Sequence, residues 1–187
     1  MILDVLRREH RNIEELLRVL EQELDLFDRA ERPDYEVIKA VIAYFEVYPA
    51  TYHHPQEDIL FEKLKARDPA AAATIGDLAA EHHSGAERLR RVARAIEGVL
   101  MDREYLRRSI SEIIRDFIVQ ERRHIAMEEL EFFPAALKAL YPEDWEEIAS
   151  RLIDRKDPLF SDSVERSFDD VRRRILQLEN EALAERA

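Results

Sequence analysis

Apolar residues recur along the N-terminal segment at Leu3, Leu6, Ile13, Leu17, Leu20, Leu24 and Phe27, in steps of three and four with one gap. That spacing is the signature of a helix with a single buried stripe. The gap between Leu6 and Ile13 is filled by His10. ERPD at 31–34 is a break, and Pro33 is expected to end this helix. A second helix is expected from about Asp34 to Ala66, with Pro49 and Pro55 kinking or interrupting it. ARDP at 66–69 makes the next turn. A third helix, about Pro69 to Leu100, carries the stripe Ile75, Leu78, Ala79, His82, Ala86, Leu89, Ala93, Ile96, Leu100. A link near Met101–Arg103 leads to a fourth, about Glu104 to Leu140, with Ile110, Ile114, Phe117, Glu121, His124, Glu128 and Phe132 on its inner face. Long helices with short connections predict antiparallel neighbours, hence an all-α fold with an up-down-up-down four-helix bundle over residues 1–140.

Residues 141–187 read as a C-terminal helical extension packed on that bundle. YPEDWEEIASRL starts a short helix, with Pro142 and acidic residues in its first turn, as suits a helix N-terminus. DPLF at 157–160 is another break. A last helix, from Ser163 to about Glu185, is strongly charged, with the thin stripe Val164, Phe168, Val171, Ile175, Leu178. It is expected to pack across the bundle or against a second copy in a homodimer.

Composition agrees with helices and narrows the chemistry. The chain has 187 residues, 46% hydrophobic and 37% charged, with three Gly, enough for one domain with a real core. The formal net charge is −12. Such a balance argues against nucleic acid and anionic membranes as partners, since both attract basic surfaces. There is no cysteine, which removes disulfides, thiolate metal sites, iron–sulfur clusters and cysteine nucleophiles together. The start, MILDVLRREH, is charged by its fourth residue, and no later stretch has the length of an apolar membrane span. The expectation is a soluble cytoplasmic protein.

The six histidines then stand out. His10 precedes His53, with Glu57 one turn beyond; His82 precedes His124, with Glu128 one turn beyond. A carboxylate four residues after a histidine shares its helix face, so both can point at one metal ion. Two such pairs plus two single histidines give four imidazoles and two carboxylates projecting inward from four helices, as in di-iron bundles. Burying these groups without a metal would be costly. Two histidines have neighbours. His54 would share its face with Asp58, Glu62 and Lys65, a solvated stripe, and His83 with Glu87, Arg90 and Arg94. His53 and His82 are therefore preferred, with His54/Asp58 the alternative to His53/Glu57. Glu121 and Glu14, each one turn from a histidine, are candidate extra ligands or acceptors for an imidazole N–H, with an ordinary helix-surface glutamate the preferred reading. Tyr44, Tyr48 and Tyr52 form a stripe read as core packing.

YHHPQEDILFEKL at 52–64 and HIAMEELEFFPAAL at 124–137 resemble the two His-plus-carboxylate motifs of hemerythrin-like, HHE cation-binding domains. REHRNIEELL at 8–17 and AEHHSGAERL at 80–89 resemble the lone-histidine helices of that family. The resemblance implies a non-haem di-iron centre, with zinc or manganese as substitutes, held by His10, His53, Glu57, His82, His124 and Glu128. It departs at Ala86, where the oxygen-carrying members have a further histidine. The expected function is binding or sensing of dioxygen, nitric oxide or iron, rather than catalysis. The alternatives are a di-iron redox enzyme, acting on peroxide or oxygen or donating iron to damaged clusters, and a metal-binding helical interaction module.

Overall fold

The computed structural model describes residues 2–101, 106–154 and 162–186, without the side chains at 153–154, 162–168 and 185–186. The described residues are helical apart from short connections, and the fold is all-α. Four rods make the bundle. The first is α1 (Ile2–Asp28). The second is α2 (Tyr35–Tyr48), a π turn (Pro49–His53) and α3 (His54–Arg67). The third is α4 (Pro69–Ile75) followed by α5 (Leu78–Leu100). The fourth is α6 (Arg107–Met127), a second π turn (Glu128–Phe132) and α7 (Phe133–Ala139). Ion pairs from α6 to α1 fix their antiparallel sense: Arg115 reaches Asp28, Arg122 reaches Glu21 and Glu14, and Glu129 beyond α6 meets Arg7. No described helix is long and apolar enough to cross a membrane.

The expected helices form, with one end, one internal break and one stripe residue that differ. The first helix stops at Asp28, before Pro33. Ala30 turns left-handed (φ 62°), the Glu31 N–H donates to Leu26 O, and the Ala30 N–H donates to Phe27 O. This satisfies the last carbonyls without waiting for a proline. The third rod is broken rather than continuous: Gly76 (φ 93°) ends α4, and the Asp77 side chain accepts from Ala80 N–H to cap α5. Leu100, assigned to the α5 stripe, is 46% exposed at its end. The link expected at 101–103 and the break at 157–160 lie largely or wholly outside the described residues.

The two π turns are matched. Each is followed, two residues on, by a proline: Pro55 after the first and Pro134 after the second. A proline lacks an N–H, and its ring collides with the carbonyl four residues back. A wide turn accommodates both demands. The residue before each proline, His54 or Phe133, donates its N–H five residues back, to Pro49 O or Glu128 O. The extra residue changes which side chains face inward.

The buried apolar residues form two clusters. One runs from Ile13 to Leu24 on α1 and includes Phe45, Leu89, Ile96, Ile114 and Phe117. The other holds Leu3, Leu6, Leu60, Leu64, Leu78, Phe132 and Phe133. Between them, in all four rods, lies a layer of histidine and glutamate. The extension packs on the outside of this frame. In α8 (Pro142–Asp154), Ile148 is buried in the second cluster and Asp144 takes a two-pronged bond from Arg67. In α9 (Asp162–Arg186), Ile175 is buried in the first cluster while Val171 is 42% exposed. The last helix therefore spends the middle of its stripe on this bundle.

Candidate metal centre

The layer is built by polar insertions in the four apolar stripes: a single histidine in the first and third, a histidine and a glutamate in the second and fourth. His10 is buried at 3% exposure between Leu6 and Ile13. His53 closes the first π turn and Glu57 follows one turn later in α3, both buried. His82 lies on α5, His124 near the end of α6, and Glu128 opens the second π turn.

Each carboxylate divides its two oxygens between opposite sides. Glu57 Oε1 is 3.2 Å from His53 Nε2 and 3.5 Å from His10 Nε2, while Glu57 Oε2 is 3.4 Å from His82 Nε2. Glu128 Oε2 is 3.3 Å from His10 Nε2, while Glu128 Oε1 is 3.1 Å from His124 Nε2 and 3.8 Å from His82 Nε2. These separations suit ion pairs, yet the atoms are not aimed at one another. Both oxygens of Glu57 and Glu128, with Nε2 of His10, His82 and His124, are buried without a hydrogen-bond partner. Native proteins rarely leave buried polar atoms orphaned, and convergence of so many is the mark of a shared cation.

Two groups of ligand atoms each lie within 4.8 Å of one another: His10, His53, Glu57 and Glu128, and His54, Glu57, His82 and His124. Bonds of about 2.1 Å from nitrogen or oxygen to a metal put opposite ligands about 4.2 Å apart, so each group suits one ion. His54 is thus placed differently from its expected solvated stripe. Its ring stacks on His82 at 3.7 Å and 5°, against the cluster. The helical rule that sent His53 and His54 to different fates fails because the π turn ends between them. His83 is exposed, as expected.

Partners of the outer ring nitrogens were not the expected ones. The Nδ1–H of His53 donates to Glu9 Oε2 (2.8 Å), and the Nδ1–H of His10 donates to Glu129 Oε1 (2.9 Å). Such bonds fix the tautomer and aim Nε2 at a metal. Glu9 is buried and also receives Gln56 Nε2 and the Tyr48 hydroxyl, while Glu129 also receives Arg7. Glu9 was detectable, since Leu6, Glu9, Ile13 and Leu16 continue the three–four spacing. Glu129 was not, because its direction depends on the second π turn. Glu14, by contrast, pairs with Arg122 on the surface. Glu121 belongs to neither ligand group. It lines a neighbouring cavity, its Oε1 only 2.8 Å from where a Cβ on Gly85 would stand. Asp58 is exposed, 3.8 Å from His82 Nδ1. The tyrosine stripe is buried core, with Tyr44 and Tyr48 stacked at 4.9 Å.

Electrostatics separate His54 from the rest. Burial pulls His10 and His82 down, but the adjacent Glu128 and Glu57 carboxylates outweigh it and raise both from 6.5 to about 9. His53 and His124 are also raised, the carboxylates overcoming burial. For His54, burial and then the neighbouring His82 act together and push it down to about 3. Burial and the neighbouring Glu57 work to raise Glu128, yet its three imidazole partners bring it down to about 2. Beside His54, His82 and His124 lies a cavity of about 540 Å³, lined further by Phe45, Leu89 and Phe117.

The model of the Hemerythrin HHE cation binding domain matches residues 1–136. The chain belongs to the hemerythrin HHE family. No curated protein and no solved structure matches it. The family match ends within α7, so the histidine–glutamate layer falls wholly inside the HHE domain and α8 and α9 fall outside it. In this HHE protein the donors are imidazole and carboxylate only, a set that fits iron, zinc or manganese.

Proposed function

We propose that this HHE protein is a non-haem di-iron protein that binds or senses dioxygen, nitric oxide or iron. In this reading His10, His53, Glu57, His82, His124 and Glu128 are its ligands. The observation that carries it is the division of the Glu57 and Glu128 oxygens between two imidazole groups, the arrangement of carboxylates shared by two ions. A bound iron pair would supply redox chemistry and a place for a small ligand. The chain supplies the rest. Glu9 and Glu129 hold the Nδ1 protons of His53 and His10, leaving their Nε2 atoms as donors. Phe133 lies parallel to the His10 ring at 5.4 Å and keeps that side dry. The protons on the four raised imidazoles must leave as metal enters, so loading is proton-coupled.

Anaerobically purified protein should carry about two irons per chain and develop oxo-bridge absorption in air. Fewer than about one iron, with no such absorption, overturns the reading. The cavity favours a second reading, a redox enzyme acting on peroxide, because its volume of about 540 Å³ exceeds what a diatomic needs. Peroxide turnover that disappears in Glu57→Ala would support it, and purely reversible ligand binding would exclude it.

A further inference from the structure

We propose that His54 is a third imidazole ligand at the cavity-side metal position, alongside His82 and His124. The inference deepens the di-iron reading and rests on it. Three observations meet at this side chain. Its ligand nitrogen lies within 4.8 Å of donors on Glu57, His82 and His124, so one ion can touch all four. Its ring is parallel to that of His82 at 3.7 Å and nearly perpendicular to that of His124 (85°, 6.4 Å). The stack places His54 against the cluster; because a bound ion must lie in the plane of each ring that holds it, one of the two rings would turn as metal enters. Finally, no side-chain hydrogen bond among the described residues engages the His54 ring, though the residue is partly buried. A metal would employ its lone pair.

The fold explains why this residue and not another. The first π turn adds a residue just before α3, bringing His53 and His54 to the two sides of Glu57. His53 turns to the His10 side and His54 to the His82 side. On α5, the position one turn beyond His82 is Ala86, which borders the same cavity and offers no donor. The cavity-side ion would then have three imidazoles and one oxygen from each of Glu57 and Glu128. The other ion would have two imidazoles and the remaining two oxygens. The ion facing the cavity is the one with the fuller shell.

Anaerobic titration with cobalt(II), followed by visible absorption and by bound metal per chain, tests this. Wild type should bind about two ions per chain; clearly fewer overturns the di-metal reading itself and this inference with it. Given two, His54→Ala should weaken one of them at least about tenfold and change its absorption, with the other ion unaffected. The retained ion reports that the variant is folded. Imidazole added to the buffer, entering through the cavity, should restore the second ion in His54→Ala. The double variant His54→Ala/Ala86→His should restore it without added imidazole. His54→Phe keeps a flat ring over His82 but has no donor, and should lose the ion as His54→Ala does. If His54→Phe or His54→Ala holds both ions with wild-type affinity and spectrum, His54 only stacks and the proposal is overturned.

Discussion

The two sides of the histidine–glutamate layer differ in how their imidazoles are held. On the His10/His53 side both rings are 3% exposed, and each gives its Nδ1–H to a carboxylate, Glu129 or Glu9. On the His82/His124 side the rings border a cavity; among the described residues His124 Nδ1 is buried without a hydrogen-bond partner, and Asp58 stands 3.8 Å from His82 Nδ1. The first side is oriented before any metal arrives. The second would take its final orientation from a bound metal. Preorganised ligands lose less freedom on binding, so the His10/His53 ion should bind tighter and leave last.

The comparison can be broken most severely at a residue common to both sides. Glu57→Ala removes the oxygen serving each group and should drop metal content from about two ions per chain to below about one half, by elemental analysis. Loss of only one ion would mean that Glu57 serves one side alone.

Next in size is pH. His10 and His82 are raised from 6.5 to about 9 in the folded chain, so their contribution to the metal-free protein is complete below about pH 6.5 and lost as pH rises through 9. At about 1.4 kcal/mol per pK unit, each is worth up to about 3 kcal/mol. Glu128, lowered to about 2, contributes above about pH 4.5 and loses this as pH falls through 2. The metal-free melting temperature should therefore peak between about pH 4.5 and 6.5 and fall by several degrees toward pH 9.5. The loaded protein, its imidazoles already deprotonated, should show no such alkaline fall. Equal profiles for the two forms would contradict this.

Smaller effects should be one-sided. Glu9→Gln should weaken the His10/His53 ion roughly 10- to 100-fold in a competitive chelator titration and spare the other. Asp58→Asn, at an exposed group too distant for a hydrogen bond, should change the His82-side affinity by less than about threefold. If Asp58→Asn matched Glu9→Gln, the contrast between a supported and an unsupported side would be gone.

Much of this was legible along the chain. The three–four spacing located the α1 stripe, and the repeat of a lone histidine followed by His-x-x-x-Glu located the layer. The residues that spacing left open or passed over fall into two kinds. Glu14 and Glu121 have helical spacing from a histidine, but spacing along one helix does not reveal what faces it, and for Glu14 that is Arg122. His54, Glu129 and the breadth of the site depend on π turns, where 3.6-residue counting stops working. Pro55 and Pro134 were the available signal, since each follows its wide turn by the same two residues.

The sequence by itself determined an all-α bundle, the family and the four apolar stripes with one polar layer, because periodicity and burial are properties each helix carries alone. Only the tertiary structure decided that Glu57 and Glu128 split their oxygens, that Glu9 and Glu129 support one side, and that His54 turns toward His82. Those facts depend on which side chains from different rods meet at one point. That meeting is set by two wide turns and by packing across the bundle, neither of which is written in the spacing of any single helix.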